Sequence, residues 1–247
     1  MYQNCIFDLY GTLVDIRTDE NKPEIWEKLS LFYRFYGAEY TPEELKEAYE
    51  TTVCKMTEGS CRIRNDSHEA YPEIRIEEVF QRLFEKKGIS AGKELALHAG
   101  QFFRILSIDH LRLYEGTKDM LSAVKESGRR IYLLSNAQKI FTAYEMNALG
   151  ITEYFDDIFI SSECGCRKPD ETFFRLLLEE HGIDPDSSIM IGNDGVCDIE
   201  GAKNVGLSTL YVRSNISPKE ELPEADYVLK EMDMEKIRKI LMEEKNL

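Results

Sequence analysis

Four short stretches of this chain place reactive side chains directly after apolar runs. Asp8 follows Ile6-Phe7 and precedes Tyr10-Gly11-Thr12-Leu13, and Ser135-Asn136 follow Ile131–Leu134. Lys168 stands before Pro169-Asp170, and Asn193-Asp194, with Asp198 shortly after, follow Ile189-Met190-Ile191-Gly192. Carboxylates, hydroxyls and an ammonium are the groups with which a site attacks an electrophile, holds a hard cation and stabilises developing negative charge. Singly, each stretch has a plain structural explanation. An Asp close to a Gly forms turns, a Ser-Asn pair caps a helix, and Pro-Asp starts one, so in the third stretch only Lys168 is informative. Their order along the chain is what carries weight.

Such groups need strands to hold them. Asn4–Tyr10 is a short apolar run stopped by Gly11, which predicts a buried strand. After Glu115-Gly116, strand patterns at Arg130–Ser135, Ile158–Ser161, Ser188–Ile191, Ser208–Val212 and Tyr227–Leu229 alternate with amphipathic stretches near Thr117–Glu126, Lys139–Leu149, Glu171–Glu180, Ile199–Val205 and Asp233–Glu243. This alternation predicts an α/β fold, a doubly wound and mostly parallel sheet with helices on both faces, whose reactive groups collect at the carboxyl edge of the strands. Between Ile16 and Arg112 the pattern shows no strand, only four helical periodicities, with Thr41-Pro42-Glu43-Glu44 marking one helix start. The expected organisation is a core of residues 1–15 and 113–247 interrupted by an all-helical insert, residues 16–112. Trp26, Phe32 and Tyr36 fall at packing spacings and read as the core of that insert. The stretch from Ser60 to His68, which carries Arg62 and Arg64, interrupts the helices and is the insert's candidate for contacting an anionic group.

The chain has 247 residues with 31 Lys+Arg against 46 Asp+Glu, a net charge of −15. That excludes a nucleic-acid binder, whose affinity depends on clustered cations. No apolar stretch is long enough to span a bilayer, and Met1–Asn4 does not open a signal segment, so a cytoplasmic setting without membrane contact is expected. The six cysteines are scattered and read as reduced thiols; Cys164-Gly165-Cys166 lacks the second Cys/His pair of a zinc site.

In the order Asp8-Leu9-Tyr10-Gly11-Thr12-Leu13, Ser135-Asn136, Lys168-Pro169-Asp170 and Gly192-Asn193-Asp194 through Asp198, the chain resembles the haloacid dehalogenase superfamily. The insert also lies where that superfamily places a helical cap. The resemblance implies a hydrolase with Asp8 as nucleophile and with Ser135 and Lys168 as fixed electrostatic stabilisers. It also implies Mg²⁺ held by Asp8, the backbone carbonyl of Tyr10, one of Asn193 or Asp194, and Asp198 in or just behind the ligand shell. Tyr10, Thr12, Asn136, Arg62 and Arg64 are the candidate contacts to a small anionic substrate. Two departures pull in opposite directions. Phosphatases of the superfamily carry a second Asp, a general acid and base, where this chain has Tyr10, and the metal-free 2-haloacid dehalogenases carry Tyr in an Asp-x-Tyr-Gly-Thr motif. The second departure is Asn193, where phosphatases carry the leading Asp of their fourth motif. Asp194 and Asp198 still leave two carboxylates near the metal position, and acids clustered near Asp8 without a cation would raise its pKa and weaken it as a nucleophile, which favours a metal enzyme. The leading expectation is a Mg²⁺-dependent phosphatase of a small phosphorylated metabolite; a dehalogenase-like hydrolase acting at carbon and a weakly active binding protein are the alternatives.

Overall fold

The computed structural model describes residues 2–61, 73–218 and 222–242. Arg62, Arg64 and His68 lie outside the described residues. Six parallel strands, β1 (Asn4–Phe7), β4 (Arg130–Ser135), β5 (Asp157–Ile160), β6 (Ser188–Gly192), β7 (Ser208–Val212) and β8 (Tyr227–Leu229), form one sheet in the order β5-β4-β1-β6-β7-β8. Its central strands alternate with a period of two, as a sheet buried on both faces demands. Cys5, Phe7, Ile131, Leu133, Ile189 and Ile191 enter the core on one face, and Ile6, Tyr132, Leu134 and Met190 enter the core on the other. Phe7 pairs with Leu133 on one side and Ile191 on the other, so β1, β4 and β6 end level with one another. The chain leaves β1 for β4 and β5, then returns to the opposite side of β1 as β6. That reversal leaves a crevice beyond the carboxyl ends of the three strands.

Around the sheet lie α5 (Thr117–Glu126), α6 (Lys139–Leu149), α7 (Ser161–Cys164), α8 (Glu171–His181), α9 (Gly201–Asn204) and α10 (Met234–Met242). Four further helices, α1 (Pro23–Phe35), α2 (Pro42–Cys61), α3 (Ile76–Glu85) and α4 (Lys93–Ser107), bury an aromatic core of their own, including Trp26, Tyr33, Tyr49, Phe80, Phe84 and Phe103. Tyr36, expected in that core, is instead 41% exposed at its edge beside Phe32. The start of α2 is fixed by a reciprocal capping pair: Glu44 N donates to Thr41 Oγ1 (3.2 Å) and Thr41 N donates to Glu44 Oε2 (3.0 Å).

Two strands that the sequence pattern does not show join the helices to the sheet. β2 (Val14–Thr18) and β3 (Ile108–Leu113) form an antiparallel ribbon across both expected boundaries of the insert. Charged residues in VDIRT and IDHLRL obscure the alternation, because one of them, Asp15, is buried rather than solvated. Its carboxylate accepts from Arg112 (Nη2, 2.7 Å), His110 (Nε2, 3.0 Å) and Asn215 (Nδ2, 2.9 Å). Away from the ribbon, Ile76 N donates to Gln138 Oε1 (2.9 Å), Gln138 Nε2 donates to Ile74 O (2.9 Å), and Arg75 Nε donates to Ser162 O (3.2 Å). Among the described residues, no helix is long and apolar enough to cross a membrane.

Candidate active site

The crevice brings the four sequence stretches together. Asp8 follows β1, and its backbone N–H continues the ladder by donating to Ile191 O (2.9 Å). Ser135 ends β4 and donates its hydroxyl to Asp8 Oδ1 (3.0 Å). Lys168, from the loop after α7, donates to the same Oδ1 (2.8 Å) and to Asp198 Oδ1 (2.6 Å). Asp198 belongs to a π-helical segment, Gly195–Glu200, that follows β6. All four side chains are buried. Burial opposes the charge of Lys168, but the carboxylates of Asp198 and Asp8 outweigh it and hold the ammonium above its ordinary range. For Asp198, burial dominates and pushes the carboxyl up to about 6, with the attraction of Lys168 acting against it.

The remaining candidates act on this trio from behind or beside it. Asn136 accepts from Lys168 N (2.8 Å) through Oδ1 and donates to Lys168 O (2.9 Å) through Nδ2, so its amide fixes the Lys168 backbone. Asp170 caps α8 by accepting from Thr172 N (2.9 Å), the helix start that Pro-Asp predicts. Asp194 turns Oδ1 onto the N–H groups of Val196 (2.9 Å) and Cys197 (2.8 Å), and its own N–H donates to Asp198 Oδ2 (2.9 Å). Both oxygens of Asp198 are therefore engaged.

On the other side of Asp8 the balance of donors is different. The Thr12 hydroxyl lies 3.4 Å from Asp8 Oδ2 and 3.3 Å from Asn193 Oδ1, and its single proton serves only one of them. Gly11, at φ 84°, permits this approach: a Cβ there would sit 2.5 Å from Asn193 Nδ2. With Asp8 and Asp198 ionised against one ammonium, the buried trio carries a net −1, and uncompensated buried charge is costly. Asp8 Oδ2 and Asn193 Oδ1, both beside the Thr12 hydroxyl, are hard oxygens, as is the Tyr10 carbonyl that the resemblance adds to them. Mg²⁺ binds through one or two carboxylates while keeping waters and substrate oxygens, and these residues fit it. Among the described residues, a tighter grouping of acid and histidine ligand atoms occurs only at Asp157, Glu180 and His181, where β5 begins and α8 ends.

Tyr10 follows a different course from a substrate contact. Its hydroxyl donates to Glu145 Oε2 (2.5 Å) and lies 3.1 Å from Thr142 Oγ1, both on α6. Glu145 in turn accepts from Arg104 of α4 at Nε (2.7 Å) and Nη2 (3.1 Å). Burial, and then the Glu145 charge, raise the Tyr10 phenol well above its ordinary range, and its proton is engaged by Glu145. Sequence reasoning missed Glu145 and Arg104, since a buried acid within an amphipathic helix shows only once the faces are known. It also missed Gly192, where a Cβ would lie 2.2 Å from Asp198 Oδ2, so only Gly leaves room for that carboxylate.

A family model described as haloacid dehalogenase-like hydrolase matches residues 2–206. The chain is 34% identical over 110 residues to a glyceraldehyde 3-phosphate phosphatase of Methanothermobacter thermautotrophicus, covering 44% of this chain and 49% of that one. It therefore spans about half the length of that relative. It is 25% identical over 225 residues to the human N-acylneuraminate-9-phosphatase, covering 90% and 88% of the two chains. Two solved structures share the fold at a TM-score of 0.60, each aligned over 98% of this chain: a HAD phosphatase from Thermococcus onnurineus (20% identical, 99% of that chain) and a 2-haloacid dehalogenase from Pseudomonas syringae (18% identical, 98% of that chain). The fold thus serves both reactions and does not choose between them. Sheet, site and family model agree, and this chain belongs to the haloacid dehalogenase-like hydrolases.

Proposed function

We propose that the protein is a Mg²⁺-dependent phosphatase that hydrolyses a small phosphorylated metabolite through an aspartyl-phosphate at Asp8. One observation carries the reading: Asp8 Oδ1 is held by Ser135 and Lys168, while Oδ2 faces the donor-poor side shared with Asn193. The phosphatase names of its sequence relatives support the same class.

Asp8, Asn193 and the Tyr10 carbonyl are the proposed ligands, with Asp194 capping the π-helical segment and Asp198 holding Lys168. When bound, Mg²⁺ screens the nucleophile from an anionic substrate and polarises the phosphoryl oxygens. The Asp8 carboxylate attacks phosphorus, the ester P–O bond breaks, and the released alkoxide takes a proton from solvent. Ser135 and Lys168, already oriented on Asp8, stabilise the charge on the transferring oxygens without reorganising. Water then cleaves the acyl phosphate and restores Asp8. We assign residues 1–15 and 113–247 to the catalytic core and residues 16–112 to a cap over it, because the four helices α1–α4 bury most of their apolar residues in a cluster of their own, with Ile140 and Phe141 of α6 packed against it. We read the cysteines as reduced thiols, which suits a cytoplasmic setting.

The reading is tested by measuring phosphate release from an aryl phosphate with Mg²⁺ and with chelator, beside halide release from a 2-haloacid. Phosphate release that chelator abolishes is the expected result. Metal-independent halide release overturns it in favour of attack at carbon.

A further inference from the structure

The helices of the insert leave an apolar face uncovered. α1 turns Ile25, Trp26, Leu29 and Tyr33 inward, yet its outer side carries Leu31, 58% exposed, and one turn later Phe35, 82% exposed. The rings of Phe35 and Tyr36 meet (centroids 5.0 Å apart), Tyr36 meets Phe32 (5.2 Å), and Phe32 stacks on Phe102 of α4 (5.7 Å). Ile105, one turn beyond Phe102, is 68% exposed. At roughly 150–250 Å² for an aromatic side chain, Phe35 and Tyr36 alone bare about 200–300 Å². Leu31 and Ile105 enlarge the apolar area to the size that marks an interaction site.

Charge decides what can cover this face. With −15 on the chain, two copies repel one another, but residues 16–112 hold 15 basic against 18 acidic side chains, a net of only −3. On α1 the charges cancel, with Glu24 and Glu27 toward its start, Lys28 between, and Arg34 at its end. Among the described residues none of these four side chains has an ion-pair partner. Two copies of α1 packed antiparallel across Leu31 and Phe35 set Arg34 of each toward the acidic end of the other and oppose the two helix dipoles. Such a surface is complementary to itself, as a twofold interface requires. α1 has 13 residues, about 20 Å of helix, and α4 at its side doubles the width. That footprint suits a small specific dimer, which buries about 600 Å² per partner. We propose that a second copy of this chain covers the face, in a twofold dimer built on antiparallel α1 helices with α4 beside them.

The test is sedimentation equilibrium of the full chain from about 1 to 100 μM in ~0.15 M salt. A reversible dimer is expected. Phe35→Asp should raise its dissociation constant by about tenfold or more while leaving the circular dichroism melt of the monomer unchanged, because the side chain it replaces is exposed. Ile105→Asp, on the other helix, is a second probe should the first variant fail to fold. Arg34→Glu should weaken the dimer, and adding Glu24→Arg and Glu27→Arg to the same chain should restore it. A wild-type chain that stays monomeric throughout the range overturns the proposal and leaves the face to a different protein. A dimer indifferent to both Phe35→Asp and Ile105→Asp also overturns it, since another surface then holds the copies together, and one indifferent to Arg34→Glu overturns the antiparallel pairing.

Discussion

At the scale of single residues, the proposed site depends on how tightly Lys168 is held. Its ammonium lies between Asp8 and Asp198, and its backbone is gripped on both sides by Asn136. Removing one member of a buried ionic set strands the others, so Lys168→Met should lower stability by about 3–5 kcal/mol as well as activity, checked by denaturant unfolding. Gly192→Ala tests the same arrangement without touching a charge. Its methyl group collides with Asp198, and we expect a loss of about 1–3 kcal/mol from overpacking, with kcat falling further than the melting curve explains. Tyr10→Phe is predicted to leave the pH dependence of kcat unchanged, because the hydroxyl is committed to Glu145; a lost basic or acidic limb would show that it does transfer protons. Asp8, Ser135, Lys168 and the Asn193 region were legible in the sequence because polar residues after apolar strands have few other reasons to recur in that order. Gly192 and Glu145 were not. The first matters through the space it leaves, the second through partners on other elements, and neither property has a local signature.

Elements decide how the helices meet the sheet. The five parallel strands after the insert were legible to within a residue or two, since strands buried on both faces read as apolar runs. The β2–β3 ribbon was not, because its buried carboxylate breaks the pattern. Desolvation works against ionisation of Asp15, but His110, Arg112 and Asn215 outweigh it and hold the carboxyl below its usual range. A carboxyl lowered on folding contributes stability that is complete above its unfolded value of about 4 and is lost as pH falls through the folded value. Asp15→Asn should therefore flatten the acid limb of a stability–pH curve and leave its slope at neutral pH alone. The second junction is Arg104–Glu145, which ties α4 to α6 beside Gly100, where a Cβ would sit 2.6 Å from Ile140 Cδ1. Glu145→Gln leaves Arg104 without its carboxylate, and we expect a loss of about 3–5 kcal/mol on thermal or chemical unfolding.

For the whole molecule, the −15 charge is unevenly divided. Residues 16–112 hold 15 basic and 18 acidic side chains, a net of −3, whereas the other 150 residues hold 16 and 28, a net of −12. On the proposed reading, a nearly balanced cap would admit a small anion more readily than the acidic core alone. The ribbon, the Gln138 contacts and Arg104–Glu145 join the two parts, which should make them unfold together. Trp26, the single tryptophan, reports on the helices, and its fluorescence transition should coincide with that of far-ultraviolet circular dichroism. The central claim is that Asp8 attacks phosphorus with a cation beside it. It is tested most directly by following phosphate release from an aryl phosphate in the wild type and in Asp8→Asn, each with Mg²⁺ and with chelator. The account predicts release by the wild type with Mg²⁺ only, and a loss of at least about a thousandfold, ~4 kcal/mol of barrier, in the variant. Undiminished turnover by a folded Asp8→Asn protein would contradict it.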